Sequence, residues 1–200
     1  MRCNNKVAVL DVDGVLLDCS GGFERVASRV LGRPMLARNK AYRFDNRFGL
    51  TPTEVDRVWR EMEASEDGWR GLPAYPGAAE AVARLRSNGY AIHLVTAISE
   101  HVRQHRLDCL VGHAIQADEI HCVGIHGDKG AIIASINPVM FVDDRLSHLH
   151  EAPGVPYRVF VDLDHDQDGL VVDEEIIYTR SLRQWVASWE MVKGYGRRAA

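Results

Sequence analysis

The chain has 200 residues, a formal net charge of −4 at pH 7 and 46% hydrophobic residues. This length suits one domain with a small insertion, and the acidic balance argues against a broad basic surface for extended nucleic acid. No apolar run reaches the length of a membrane helix, and the first six residues lack the apolar core of a signal peptide.

The four cysteines are scattered along the chain and include no Cys-x-x-Cys pair. This pattern is typical of reduced thiols rather than of a disulfide framework or a zinc site. We therefore expect a cytoplasmic protein without a membrane partner. The cysteines are Cys3, Cys19, Cys109 and Cys122.

Strand-like and helix-like segments alternate along most of the chain, which predicts an α/β fold with a mainly parallel sheet. The predicted strands are 6–11, 90–96, 119–123, 139–143 and 157–162. One helix should begin after Pro76-Gly77 and end at Asn88-Gly89, and a second should run from an N-cap at Ser99 to about Leu110. A last helix is expected over 181–192, with its two tryptophans in the core.

Residues 19–72 interrupt this alternation. Apolar residues recur there at helical spacing around Phe23, and Thr51-Pro52-Thr53-Glu54 has the form of a capping box with proline at the first helical position. We predict a small helical cap over 19–72, inserted after the first strand above the sheet edge. The core would then comprise 1–18 and 73–193, and 194–200 would be a flexible tail.

Two carboxylates follow the first apolar strand. Asp11 and Asp13 are two residues apart, so their side chains lean the same way if the strand continues, and Gly14 permits a sharp turn. Two acids aimed at one point repel each other unless a cation lies between them. Mg²⁺ is the natural partner, because it prefers oxygen ligands.

Three further features fall at predicted strand ends, where ligands bind in open α/β sheets. Thr96 ends one strand with a hydroxyl that can bond a phosphoryl oxygen. Lys129 follows in a glycine-flanked loop and could neutralise a transferring phosphoryl group. Asp143 and Asp144 form a second acidic pair, suited to completing a metal site.

With these four motifs in order, the chain resembles the haloacid dehalogenase-like hydrolase superfamily over roughly residues 6–165. The resemblance implies a Rossmann-like three-layer core and an aspartyl-phosphate mechanism. Asp11 would be the nucleophile and Asp13 the general acid and then base. The Asp11 carboxylate, the Asp13 backbone carbonyl, Asp143 and Asp144 would hold Mg²⁺. An acid at the position of Asp13 favours phosphate-ester hydrolysis over the superfamily's other chemistries.

A closer resemblance is to the 5'(3')-deoxyribonucleotidases. It is carried by the first motif with Gly21-Gly22-Phe23, by the segment 71–82, and by Asp128-Lys129 and Asp143-Asp144-Arg145. It implies that Thr96, Ala97, Lys129 and Arg145 contact substrate. That family usually has an aromatic residue at the position of Cys19 and a serine at the position of Ala97, both near its nucleotide pocket.

A second acidic segment runs from Asp164 to Glu175 and fits the EF-hand loop pattern. Asp164, Asp166, Asp168 and Glu175 could cage Ca²⁺, although the loop follows a predicted strand rather than a helix and Val172 replaces a usual polar residue. An acidic loop near the ligand edge of the sheet is the competing interpretation. The nine histidines show no compact metal-ligand set in the sequence.

These features predict a Mg²⁺-dependent phosphatase that hydrolyses small phosphomonoesters, with (deoxy)nucleoside monophosphates as candidate substrates. Two alternatives stay open. One is a phosphotransferase or a phosphatase of nucleic-acid ends with the same catalytic residues. The other is a non-catalytic protein that binds Ca²⁺ through the loop at 164–175. A homodimer is compatible with the sequence.

Overall fold

A computed structural model describes residues 6–125 and 127–198, and within them a six-stranded parallel sheet is covered by helices. The strand order is β3-β2-β1-β4-β5-β6. The strands are β1 (Lys6–Leu10), β2 (Tyr90–Thr96), β3 (Glu119–Cys122), β4 (Met140–Asp143), β5 (Tyr157–Val161) and β6 (Ile176–Thr179).

Eight α-helices connect and cover these strands in the described part of the chain. They are α1 (Cys19–Leu31), α2 (Phe44–Phe48), α3 (Pro52–Ala64), α4 (Ala78–Ser87), α5 (Arg103–Gly112), α6 (Lys129–Ile136), α7 (Leu146–His150) and α8 (Leu182–Arg198). A short 3-10 turn, Glu100–Val102, precedes α5. None of the helices among the described residues has the length and apolar character needed to span a bilayer.

The two faces of the sheet carry separate hydrophobic clusters, which makes three layers. One cluster joins β1 and β2 residues such as Leu10 and Leu94 to helices α4, α5 and α8. The other joins Val9 and Phe141 to α6 and α7. Neighbouring residues of one strand point to opposite faces, so Val9 and Leu10 enter different clusters. The predicted Rossmann-like three-layer α/β core is confirmed.

Helices α1, α2 and α3 lie between β1 and α4 in the chain, where the sequence predicts a cap. Their buried residues, including Phe23, Val58 and Met62, belong to the same hydrophobic cluster as Leu10 of the sheet. The capping box at α3 is present, since the Thr51 hydroxyl accepts from the Glu54 amide at 3.3 Å. The domain boundaries at 18/19 and 72/73 stay a prediction.

Several predicted elements differ in detail from the structure. The helix after β2 is a 3-10 turn followed by α5, and the Ser99 side chain makes no capping hydrogen bond. Strand β6 was not predicted. The last helix continues to Arg198 instead of ending near Val192, so 194–198 of the predicted tail are helical, and residues 199–200 lie outside the described part. Trp185 and Trp189 are buried in the core, as predicted.

The sheet order places the chain's switch point between β1 and β4. From β1 the chain moves to β2 and β3 on one side, and then returns past β1 to β4, β5 and β6 on the other. Ligands of open α/β sheets bind at the carboxyl ends of strands on either side of such a point. Asp11 and Asp143, at the ends of β1 and β4, therefore meet at one edge.

Candidate active site

Backbone hydrogen bonds fix the position of Asp11 in the loop after β1. The Asp11 amide donates to the Val142 carbonyl of β4 at 2.9 Å, and the Val12 amide donates to Asp11 Oδ1 at 2.6 Å. Gly14 follows with a φ of +86°, and a Cβ built there would collide with the Asp144 carboxylate. Glycine is required here both for the backbone conformation and for the close approach of β4's acidic pair.

Lys129 lies between the two strand ends. It is the first residue of α6, whose preceding Asp128 accepts from the Ala131 amide at 2.8 Å and so fixes the start of the helix. Lys129 Nζ is 3.1 Å from Asp11 Oδ2 and 2.9 Å from Asp143 Oδ2. The lysine is 1% exposed, so its ammonium bridges two buried carboxylates in a poorly hydrated site.

The acidic pair after β4 completes the cluster. Asp143 is fully buried and also accepts from the Arg145 amide at 2.8 Å, with His148 Nδ1 at 3.0 Å. One carboxylate oxygen from each of Asp11, Asp143 and Asp144 lies within 4.8 Å of the others. Asp144 Oδ1 is buried and has no hydrogen-bond partner among the described residues.

The three carboxylates of the cluster differ in pKa, because burial and the positive charge of Lys129 act on them to different degrees. Burial raises the pKa of Asp11 from its usual 3.8 to about 7, against the opposing effect of Lys129. Burial also raises the pKa of Asp144 well above its usual range, and neighbouring carboxylates add to this. For Asp143, Lys129 and His148 outweigh burial and hold the pKa below its usual range. A hard cation with oxygen ligands, such as Mg²⁺, fits these three carboxylates and the partnerless oxygen.

Thr96 ends β2 beside this cluster. It is 1% exposed, and its hydroxyl oxygen is buried without a hydrogen-bond partner among the described residues. Thr96 and Ala97 both line the cavity that also contains Asp11 and Lys129. A buried hydroxyl without a partner costs free energy, so this group is suited to a ligand that the site receives.

Asp13 has a partner that the sequence analysis missed. Arg106 of α5 is fully buried, and its Nη2 donates to Asp13 Oδ2 at 2.8 Å. Its guanidinium also stacks 4.8 Å from the Trp69 ring centroid. Asp13 is 93 residues away in the chain. The sequence around an arginine on a predicted helix does not show that its side chain is buried. The role of Arg106 is therefore visible only from its contact with Asp13 in the folded structure.

A cavity of about 600 Å³ opens above the carboxylates. Its floor contains Asp11, Asp13, Asp144, Thr96 and Lys129. Its walls are mostly aromatic and aliphatic and come largely from 42–75 and 97–102. The aromatic residues that line it are Tyr42, Phe44, Trp59, Trp69 and Tyr75. The site is therefore a charged floor beneath a largely apolar chamber, whose lining also includes Arg43, Asp45, Arg47 and Glu63.

Arg145 lies next to the cavity, behind one of its wall residues. It does not line the cavity. Its guanidinium stacks 3.9 Å from the Tyr42 ring centroid and pairs with Asp168 at 3.0 Å. Tyr42 itself lines the cavity, so Arg145 lies directly behind the cavity wall, and a contact between Arg145 and substrate stays a prediction.

The acidic loop at 164–175 does not assemble a calcium cage. Asp164 pairs with Lys40 at 2.7 Å, and Asp168 pairs with Arg145. Glu175 pairs with Arg158 at 2.6 Å. Within the described residues, Asp164, Asp166, Asp168 and Glu175 are not among the groups close enough to share an ion. Three of the four acids are thus held by three separate basic side chains, which keeps their carboxylates from converging on one point.

Known proteins were compared with this chain by sequence and by structure. No protein-family profile matches it, and no curated protein sequence is significantly similar. Solved structures match over nearly their full length. A haloacid dehalogenase-like family hydrolase from Xanthomonas campestris covers 97% of this chain and 98% of its own, with 13% identity and a TM-score of 0.55. The chain has the haloacid dehalogenase-like fold.

Two other structures with this fold are phosphatase-related or hold phosphate. A hydrolase of the same family from Deinococcus radiodurans, solved with bound phosphate and sodium, covers 89% of this chain and 93% of its own at 17% identity and a TM-score of 0.58. A D,D-heptose 1,7-bisphosphate phosphatase from Burkholderia thailandensis covers 92% and 98% at 17% identity and a TM-score of 0.53. At such identities the haloacid dehalogenase-like fold is shared, while the reaction has to be argued from the site.

Proposed function

We propose that this protein is a Mg²⁺-dependent phosphatase that hydrolyses small phosphomonoesters through an aspartyl-phosphate at Asp11. One observation carries the proposal. Lys129 Nζ bridges Asp11 and Asp143 at the floor of the 600 Å³ cavity, at the carboxyl ends of β1 and β4. A carboxylate nucleophile beside a fixed ammonium and a cation site is suited to phosphoryl transfer, which depends mainly on positioning and electrostatics.

The metal ligands in this proposal are the carboxylates of Asp11, Asp143 and Asp144 with the backbone carbonyl of Asp13. When bound, Mg²⁺ would neutralise charge between the carboxylates and the phosphoryl oxygens. The phosphatase and phosphate-bound structures with the same fold are consistent with this class of reaction.

The protein side chains have separate tasks in the first half of the reaction. A carboxylate oxygen of Asp11 attacks phosphorus, and the bond from phosphorus to the ester oxygen breaks. Asp13 gives a proton to that leaving oxygen. Lys129 reduces the repulsion between Asp11 and the phosphoryl group, and the Thr96 hydroxyl donates to a phosphoryl oxygen.

In the second half, Asp13 takes a proton from water, which then attacks phosphorus. The bond from phosphorus to Asp11 breaks, inorganic phosphate leaves and the Asp11 carboxylate is restored. Splitting the hydrolysis in this way replaces one difficult step by two easier ones. Arg106 keeps the Asp13 carboxylate directed at the cavity floor throughout.

The nucleophile is tested by replacing Asp11 with asparagine. Asp11→Asn should abolish phosphate release from p-nitrophenyl phosphate, because an amide is a poor nucleophile and a poor cation ligand. Asp56→Asn, on the exposed side of α3, is the matched control and should retain full turnover. Turnover by Asp11→Asn close to that of the control would remove Asp11 from the role of nucleophile.

The finer part of the proposal is the substrate, a (deoxy)nucleoside monophosphate. The aromatic wall supports it, because a base can pack against the parts of Tyr42 and Trp59 that face the cavity, while Arg145 and Trp69 cover their other sides and the phosphate reaches the floor. Stacking of a base on an aromatic side chain is worth about 1–3 kcal/mol. We expect kcat/KM for nucleoside monophosphates to exceed that for ribose 5-phosphate by roughly tenfold or more.

A wall variant separates the base preference from the chemistry. Trp59→Leu should reduce the preference for nucleotides and leave turnover of ribose 5-phosphate nearly unchanged. Tyr157→Leu, a partly exposed aromatic outside the cavity, is the control. Equal kcat/KM for nucleotides and ribose 5-phosphate in the native protein would reject the nucleotide assignment while leaving the phosphatase assignment intact.

A further inference from the structure

A second group of metal-ligating side chains lies on the outer strands of the sheet. His93 on β2 is paired in register with Glu119 on the edge strand β3, and His121 follows two residues later. Side chains two apart on a strand share a face, so all three point to the same side of the sheet. None of them lines the cavity above the carboxylates. No sequence pattern predicts this group, because its two histidines are 28 residues apart.

The distances within the group match those of a metal site. His121 Nε2 is 3.2 Å and His93 Nδ1 is 3.6 Å from the same oxygen, Oε2 of Glu119. One ligand atom from each residue lies within 4.8 Å of the others. Nitrogen and oxygen ligands at 2.0–2.1 Å around a tetrahedral Zn²⁺ are roughly 3.3 Å apart. The two nitrogen–oxygen distances are thus close to this separation, and all three atoms lie within reach of one ion.

The two imidazole nitrogens that face Glu119 lack other partners. His93 Nδ1 and His121 Nε2 are both buried atoms without a hydrogen-bond partner in the described part of the chain. Buried polar atoms are normally satisfied, but neither contact with Glu119 has the geometry of a hydrogen bond, so two such nitrogens beside one carboxylate oxygen point to a bound species. The Glu119 side chain is 57% exposed and that of His121 is 30% exposed, which leaves a path from solvent.

The chemistry of this group differs from that of the carboxylate cluster. Asp11, Asp143 and Asp144 offer oxygen alone and suit Mg²⁺, whereas two imidazoles with one carboxylate suit Zn²⁺ and similar transition metals. Three protein ligands leave the fourth position of a tetrahedral ion for water. An ion held here would also join the edge strand β3 to β2, at the side of the sheet where strands are least supported.

We propose that His93, Glu119 and His121 form a second metal site that binds one divalent transition-metal ion, with Zn²⁺ as the preferred ion. The site is separate from the carboxylate cluster and does not depend on the proposed phosphatase activity. Its role is to fasten β3 to β2.

Zinc binding to the full chain tests the proposal. Equilibrium dialysis in excess Mg²⁺ should give one bound Zn²⁺, and the visible absorption of Co²⁺ in its place should report nitrogen ligation. Zn²⁺ at a hundredfold excess over its Kd should raise the thermal midpoint by roughly 5–10 °C. His121→Gln and Glu119→Gln should each weaken binding at least tenfold and remove most of this shift.

The controls separate this site from ordinary histidine–carboxylate pairs. His150 lies 3.5 Å from Asp173 and forms such a pair, so His150→Gln should bind Zn²⁺ as the native protein does. Metal-free His121→Gln and Glu119→Gln should keep the native thermal midpoint, which shows that both fold. Zinc binding that survives in both variants but is lost in Asp144→Asn would assign the ion to the carboxylate cluster and overturn the proposal. Absence of zinc binding in the native protein would overturn it as well.

Discussion

Thr96 is the residue whose function can be separated most cleanly from its structural role. Its hydroxyl is buried and has no partner in the part of the chain that the structure describes, whereas the hydroxyl of Thr179, at the end of β6, donates to the Ser181 carbonyl at 3.1 Å. Both threonines are nearly inaccessible to solvent. Valine has almost the same shape, so it removes the hydroxyl alone.

Replacing each threonine by valine should therefore have opposite effects. Thr96→Val should leave the free energy of unfolding unchanged or higher, because a buried hydroxyl without a partner is removed. It should lower kcat/KM about tenfold or more, as expected for the loss of a donor to a phosphoryl oxygen. Thr179→Val should lower stability by about 1 kcal/mol and leave kcat/KM unchanged. Denaturant unfolding measures the change in stability, and steady-state kinetics measure the change in kcat/KM. Full activity in Thr96→Val would contradict the proposed role of the Thr96 hydroxyl.

Helix α5 contributes to the site from outside the four motifs. It carries Arg106 under the cavity, where the guanidinium contacts Asp13 and the Trp69 ring. Two of the Arg106 nitrogens, Nε and Nη1, are buried and have no hydrogen-bond partner within residues 6–125 and 127–198. Because these unsatisfied donors offset the benefit of the ion pair, we expect the arginine to matter more for the position of Asp13 than for stability.

Arg106→Met tests this role of the arginine by comparing substrates whose leaving groups need different amounts of protonation. Asp13 protonates the leaving oxygen in the proposed mechanism, and p-nitrophenolate needs little protonation. We expect kcat for an alkyl phosphate to fall about tenfold or more, and kcat for p-nitrophenyl phosphate to fall much less. Arg103→Met, on the same helix, is the control, since that side chain donates to the Ile120 carbonyl and pairs with Glu100, and it does not line the cavity. Equal losses with both substrates would mean that Arg106 does not act through Asp13.

At the scale of the whole molecule, the buried cluster makes stability depend on pH and metal. The folded state holds a proton on Asp11 up to about pH 7, while the unfolded chain releases it near the usual pKa of 3.8. The stabilisation from this proton is complete below pH 4 and is lost as pH rises to about 7. The metal-free protein should thus lose stability across this interval through Asp11.

Thermal unfolding in EDTA between pH 5 and 8 measures this effect. The thermal midpoint of the native protein should fall relative to that of Asp11→Asn up to about pH 7 and then run parallel to it. Excess Mg²⁺ should remove the decline, because a cation displaces the same proton. Parallel curves over the whole range without metal would show that Asp11 is already ionised in the fold.

The sequence alone predicts the α/β class and five of the six strands, and it also predicts that Asp11, Thr96, Lys129, Asp143 and Asp144 follow strand ends. These follow from local rules, since strands are short apolar runs and functional side chains follow them directly. Strand β6 was not predicted, because Ile176–Thr179 is only four residues long and follows an acidic segment. The same segment suggested a calcium loop, and only the ion pairs of its acids with Lys40, Arg145 and Arg158 decided against that geometry.

The tertiary structure alone decided the contacts between residues far apart in sequence. The pairing of Arg106 with Asp13, the turning of Arg145 towards Tyr42 and the meeting of His93 with His121 depend on strand register and helix placement. No local pattern encodes these, because periodicity specifies which face a residue occupies but not what packs opposite it. The motifs thus predicted the floor of the cavity, and the packing of distant elements determined its walls.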